Sequence, residues 1–73
     1  MREYTRFVVT EGSYAVVQEV FETMEDALNY IEDRYGADNA VDQLVEINAS
    51  NDDLEYETFT ELEIYDMLEE RCK

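Results

Sequence analysis

The chain has 73 residues and a mass of 8.6 kDa, and its 20 Asp and Glu against 5 Lys and Arg give a formal net charge of −15 with no His. That length supports one small core, since a domain of this size buries only about 60% of the surface its unfolded chain exposes. A pI of 4.1 repels nucleic acid and anionic lipid, which excludes direct DNA, RNA or membrane-surface binding and leaves basic partners.

A hydrophobic content of 45%, with six Tyr and three Phe, exceeds what an acidic disordered tail carries, so the chain is expected to fold. The longest uninterrupted apolar runs, Phe7-Val8-Val9 and Ala15-Val16-Val17, are far too short to span a bilayer, and no apolar signal segment follows Met1-Arg2-Glu3. The sequence therefore reads as a soluble, cytoplasmic protein. Its single cysteine, Cys72, cannot form an internal disulfide, in keeping with a reducing compartment. Asn48-Ala49-Ser50 matches a glycosylation sequon, but without a secretory signal it reads as a chance match.

In chain order, residues 4–10 are rich in β-branched and aromatic side chains, Glu11-Gly12-Ser13 is a turn, and residues 14–21 are β-rich again, which predicts a hairpin. Thr23-Met24-Glu25-Asp26 resembles a capping box with Asp in place of Glu. Met24, Ala27, Leu28, Ile31 and Tyr35 then follow at helical spacing until Gly36 stops the helix. Val45 and Ile47 alternate with Glu46, a polar stretch covers residues 48–53, and residues 54–59 alternate again as a second hairpin. Thr60-Glu61-Leu62-Glu63 is a full capping box opening a last helix with Ile64, Tyr65, Leu68 and Cys72 on its apolar stripe.

A shift of 37 residues superposes Thr23 on Thr60, Ile31 on Leu68 and Glu32-Asp33-Arg34 on Glu69-Glu70-Arg71. A shift one residue longer places Glu19 on Glu57 and Phe21 on Phe59. One domain spanning residues 1–73 follows, built from a ββα unit used twice, over about 4–36 and 43–73; coincidental alignment of two amphipathic helices is the competing explanation. The expected fold is α+β, ββαββα, an antiparallel or mixed four-stranded sheet with two helices on one face. Its predicted core is Phe7, Val9, Val16, Val20, Leu28, Ile31, Val45, Ile47, Leu54, Tyr56, Ile64 and Leu68. Alternation then sends Glu19, Glu46, Glu55 and Glu57 to the uncovered face.

The residue inventory argues against catalysis. There is no His, the one Lys and one Cys are Lys73 and Cys72 at the C-terminus, and only two Ser exist, so no tuned base or activated nucleophile is expected. Carboxylate pairs carry little information among 20 acids. No Cys/His cluster exists for zinc, Asn51-Asp52-Asp53 lacks the Gly and the distant Glu of a calcium loop, and Gly12 and Gly36 do not make a phosphate loop. Neither cofactor nor structural metal is expected.

The placement of charge is more informative. Arg2, Arg6, Arg71 and Lys73 lie at the two ends, Arg34 stands alone between them, and residues 35–70 contain 12 acids without one Lys or Arg. A chain selected only for solubility would interleave signs, because like charges on a small domain repel. Asp52, Asp53, Glu55, Glu57, Glu61, Glu63, Asp66, Glu69 and Glu70 are accordingly the candidate partner-binding residues. Their rows suit a Lys/Arg groove shaped for phosphates, since Arg pairs bidentately with both groups. On either helix alone such a row is an ordinary solvated face. Tyr4, Tyr14, Tyr30 and Tyr65 exceed what so small a core can bury, and Tyr beside acids is common on binding surfaces.

In size, acidity, the cation-free stretch 35–70 and mixed sheet-and-helix pattern, the chain resembles the small phage-encoded anti-defence proteins, the anti-CRISPR and anti-restriction DNA mimics. The resemblance is one of class, without an alignable motif. It implies a non-enzymatic inhibitor, monomeric or homodimeric, that occludes the nucleic-acid groove of a CRISPR effector, restriction enzyme or nuclease in the host cytoplasm. The alternatives are a small structural domain from a salt-adapted organism and an acidic antidote to a basic toxin or nuclease.

Overall fold

The computed structural model describes residues 3–71. Its elements run β1 (Arg6–Glu11), β2 (Val16–Phe21), α1 (Met24–Arg34), α2 (Gly36–Asp42), β3 (Glu46–Ser50), β4 (Tyr56–Phe59) and α3 (Glu61–Arg71). The strands form one antiparallel sheet in the order β2-β1-β3-β4, the α+β class expected. Cys72, expected on the stripe of the last helix, and the terminal cations Arg2 and Lys73 lie outside the described residues.

The sheet reads alike from either edge. The hairpins meet through their first strands, with Val8 opposite Asn48 at the centre. Outward from that pair, Glu19 beside Val9 corresponds to Glu57 beside Ala49, and Phe21 beside Phe7 to Phe59 beside Ile47. The helices that follow start at Met24 and Glu61 and end at Arg34 and Arg71, a constant offset of 37. Two copies of a ββα unit facing one another across β1 and β3 would adopt this arrangement.

Phe7 and Val9 of β1 and Ile47 and Ala49 of β3 point to one side, where Ala27, Leu28 and Ile31 of α1, Ala40 of α2 and Ile64 and Leu68 of α3 cover them. Val45, just ahead of β3, completes this buried set. α1 lies against β1 and β2, α3 against β3, and α2 bridges the two helices. Thr23 caps α1, its Oγ1 accepting from the Asp26 N–H at 3.1 Å. At α3 the Glu63 carboxylate reaches back to the Thr60 N–H at 3.5 Å and to its hydroxyl at 3.2 Å. Gly36, at φ +79°, ends α1 as expected, but the chain turns straight into α2 instead of a loop. Ala37, Ala40 and Val41 recur at helical spacing and bury Ala40 completely.

Four expected core residues are on the surface. Val16 is 56% exposed, Val20 42%, Leu54 90% and Tyr56 76%. In each hairpin the Phe that ends the second strand is the inward anchor: Phe21 pairs with Phe7 and lies 5.3 Å from the Tyr30 ring, and Phe59 pairs with Ile47. Counting back from those rings, Val20 and Tyr56 face outward, while Glu19 and Glu57 fall in the helix-side rows. Val16 shares the helix side with Glu11 but lies past the covered area, and Leu54 belongs to the β3–β4 turn. A bulge between Val9 and Thr10 shifts the β1–β2 register by one residue.

Of the four acids expected on the open face, only Glu46, paired with Thr10, is there. Glu19 and Glu57 occupy the helix side of the two edge strands, and Glu55 precedes β4. The open face instead presents Arg6 and Val8, Val17 and Val20, Glu46, Asn48 and Ser50, and Tyr56 and Thr58, while Thr10, in the same row as Arg6 and Val8, is buried. Among the described strand residues of this face there is one cation, Arg6, and one anion, Glu46, so the acidity of the described chain lies mainly on its edges, turns and helices.

Candidate functional site

The nine candidate carboxylates fall on three consecutive pieces of chain. Asp52, Asp53 and Glu55 occupy the β3–β4 turn, which Asn51 organises. Its side-chain oxygen accepts from the N–H groups of Asp53 at 3.0 Å and Glu55 at 3.1 Å, and its amide donates to Glu55 Oε1 at 3.0 Å and to the Glu3 carbonyl at 3.1 Å. Glu3, Thr5, Asn51, Asp52, Asp53 and Glu55 line one shallow concavity. Glu3 therefore adjoins the turn acids.

Glu57 stands exposed on β4, and its Oε1 accepts from the Tyr4 hydroxyl at 3.1 Å. After Thr60, Glu61 is half-buried, while Glu63, Asp66, Glu69 and Glu70 are exposed along α3. Glu63 is occupied in the cap. The α3 acids do not line the turn concavity, so the candidates form a band from turn to edge strand to helix.

Beside that band is a feature absent from the expected site, because α2 was not foreseen. Between α2 and α3, Val41, Leu62 and Tyr65 line a groove with Asp38 and Asp42 at its rim, and Leu62 is 63% exposed. The Tyr65 hydroxyl bonds Glu69, which together with the charges of Asp38 and Asp66 pushes the phenol above its usual pKa. Carboxylates from two helices thus surround an exposed leucine and a tyrosine. The sequence signal was the Ala37, Ala40, Val41 spacing ahead of Leu62 and Tyr65.

A second polar cluster lies where α1 meets α2. The Tyr35 hydroxyl donates to Glu11 Oε2, and the Arg34 guanidinium carbon lies 5.6 Å from the Tyr35 ring centroid. Burial, then the Glu11 bond, raises the Tyr35 pKa, and contact with Tyr35 raises that of Arg34. With the Gly12 N–H donating to the Gln43 carbonyl at 2.9 Å, this cluster fastens the first hairpin turn to the helical layer. Among the described residues no group of three or more His, Cys, Asp or Glu is arranged to hold a metal ion, and no helix is long and apolar enough to cross a membrane.

Comparison with known proteins finds no matching family model, no similar curated protein and no similar solved structure.

Proposed function

We propose that the protein is a non-enzymatic inhibitor whose acidic band occupies the basic nucleic-acid groove of a partner, as an anti-CRISPR or anti-restriction protein would in a host cytoplasm. The observation that carries this reading is the surface of α2 and α3, where Asp38, Asp42, Asp66 and Glu69 surround the exposed Leu62 and the half-buried Tyr65. Leu62 does not stand alone on this surface but lines a groove with Val41 and Tyr65 inside a carboxylate rim. An apolar anchor inside a polar rim is how protein interfaces are built. The acids supply attraction to Lys and Arg, and the anchor supplies the contact that outlasts the encounter.

The test is competition. Binding to a CRISPR effector, restriction enzyme or nuclease should displace DNA, and affinity should fall steeply between about 50 and 200 mM salt. Simultaneous binding of DNA and this protein to the target, or affinity indifferent to salt, refutes the proposal.

A second reading draws on the spread of acids over every helix, Glu25, Asp26, Glu32 and Asp33 on α1 and Asp38 and Asp42 on α2 included. Such coverage suits a small domain from a salt-adapted organism. That domain would be unfolded without molar salt, whereas an inhibitor acting in an ordinary cytoplasm is folded at about 0.15 M, where the Debye length is about 8 Å. A melting curve against salt separates the two.

A further inference from the structure

The open face of the sheet differs from the rest of this molecule. Helices cover one side only, and the molecule measures 33 × 31 × 17 Å. The uncovered side holds Val8, Val17, Val20 and Tyr56, of which Val17 is 59% and Tyr56 76% exposed. In a chain of net charge −15 the described strand residues of this face sum to zero, Arg6 being the one cation among them and Glu46 the one anion.

We infer that this face binds a second copy of the chain, sheet against sheet, in a reversible two-fold dimer. Two molecules of like charge meet at least electrostatic cost through their neutral sides. The two charged side chains also complement themselves. Arg6 pairs with Ser50 at one end of the central strand pair and Glu46 with Thr10 at the other. A two-fold axis running across the strands brings the Arg6 end of each copy over the Glu46 end of its mate, the reciprocal contact an isologous interface requires. Val8, Val17 and Val20 then interleave between sheets about 10 Å apart. A basic groove has little to recognise on this face, so self-association and the proposed inhibition use opposite sides of the sheet.

Four strands about 4.8 Å apart and five residues at about 3.3 Å make a patch of roughly 300 Å² in projection. Counted over both copies this is about 600 Å², well below the roughly 1,200 Å² of a stable specific interface, so the dimer is weak and exchanges fast with monomer. Salt provides an internal check. Screening the repulsion between acidic copies should strengthen self-association, the opposite of its effect on binding to a basic partner.

Sedimentation equilibrium of the full chain at micromolar to millimolar concentration, with reductant present so that Cys72 links no copies, tests the proposal. A concentration-dependent monomer–dimer equilibrium is expected, tighter at higher salt. Val20→Glu and Arg6→Glu should each weaken it at least about tenfold, and Arg6→Glu combined with Glu46→Arg should restore most of the loss. Circular dichroism checks that each variant is folded, and the charge-swap pair reports on the interface even if Val20→Glu perturbs the sheet. A monomer throughout that range, or a dimer unmoved by these substitutions, overturns the inference. Either result leaves the DNA competition test untouched.

Discussion

Tyr4 and Glu57 are joined across the sheet, the tyrosine hydroxyl donating to the carboxylate at 3.1 Å, so the segment ahead of β1 is fastened to the edge strand β4. With the Thr5 N–H bonded to the Ser50 carbonyl at 2.9 Å, it orders the start of the described chain beside the candidate turn. The pair is exposed, and exposed polar contacts contribute little. Tyr4→Phe should cost at most about 1 kcal/mol, lowering the melting temperature by no more than about 4–8 °C in a domain of this size. A larger drop in thermal denaturation would mean that the hydroxyl organises more than this contact.

Glu57 has a second task, shared with Glu19. Each is a charge on the helix side of an edge strand, where it discourages another strand from adding to the sheet. Glu57→Val and Glu19→Val should both promote assembly into large species, seen as rising light scattering with concentration, whereas Glu57→Lys should not. Val variants that stay as small as the parent would remove edge protection from the account.

The revised core yields opposite outcomes at residues that look alike in sequence. Ile31→Ala and Ile47→Ala, at fully buried positions, should each cost about 2–5 kcal/mol, enough to unfold much of so small a domain. Leu54, 90% exposed with φ +64°, strains its backbone without burying its side chain. Leu54→Asn should therefore gain about 0.5–1 kcal/mol. Urea denaturation checks both, and a loss at Leu54 would restore it to the core.

Alkaline pH acts in part through Tyr35, the more buried of the two tyrosines whose pKa is raised. Its folded pKa is raised by burial and by the bond to Glu11, so above the ordinary tyrosine value of about 10 the unfolded chain ionises first. The stability this group contributes is complete below that pH and is lost as pH climbs through the folded value. Tyr35→Phe should flatten the fall in melting temperature above about pH 10; an unchanged slope would place the alkaline loss elsewhere.

For the partner, Leu62→Ser and the pair Asp66→Lys with Glu69→Lys should each weaken binding. Glu19→Lys, on the opposite edge strand, should have a much smaller effect. The Leu62 variant should keep its melting temperature, since that side chain is 63% exposed. Equal losses from Glu19→Lys and the α3 pair, measured by titration calorimetry, would mean that net charge rather than placement drives association.

Much of the fold was legible. Caps at Thr23 and Thr60, the stop at Gly36 and the two hairpins are local signals, and local chemistry decides them. Facing was harder to read. Valine and leucine alternation pointed Val20 and Tyr56 inward, but which row is buried depends on what the helices can cover, and the larger rings of Phe21 and Phe59 took those places. The bulge after Val9 is a tertiary adjustment without a sequence mark. A helix that follows directly on a glycine with positive φ looks like a loop in sequence, which hides α2. The acidic turn was visible in Asn51-Asp52-Asp53, but the groove at Leu62 and Tyr65 exists only once α2 lies beside α3.

Val8 and Asn48 are forty positions apart and lie at the middle of the sheet. Neither hairpin can complete its pairing or its cover until the other arrives, because each supplies one central strand. The chain must therefore close a long loop before its central pairing is rewarded, which places it among slower folders for its length. The same dependence makes the intervening stretch through α2 a hinge across which two molecules could trade halves at high concentration.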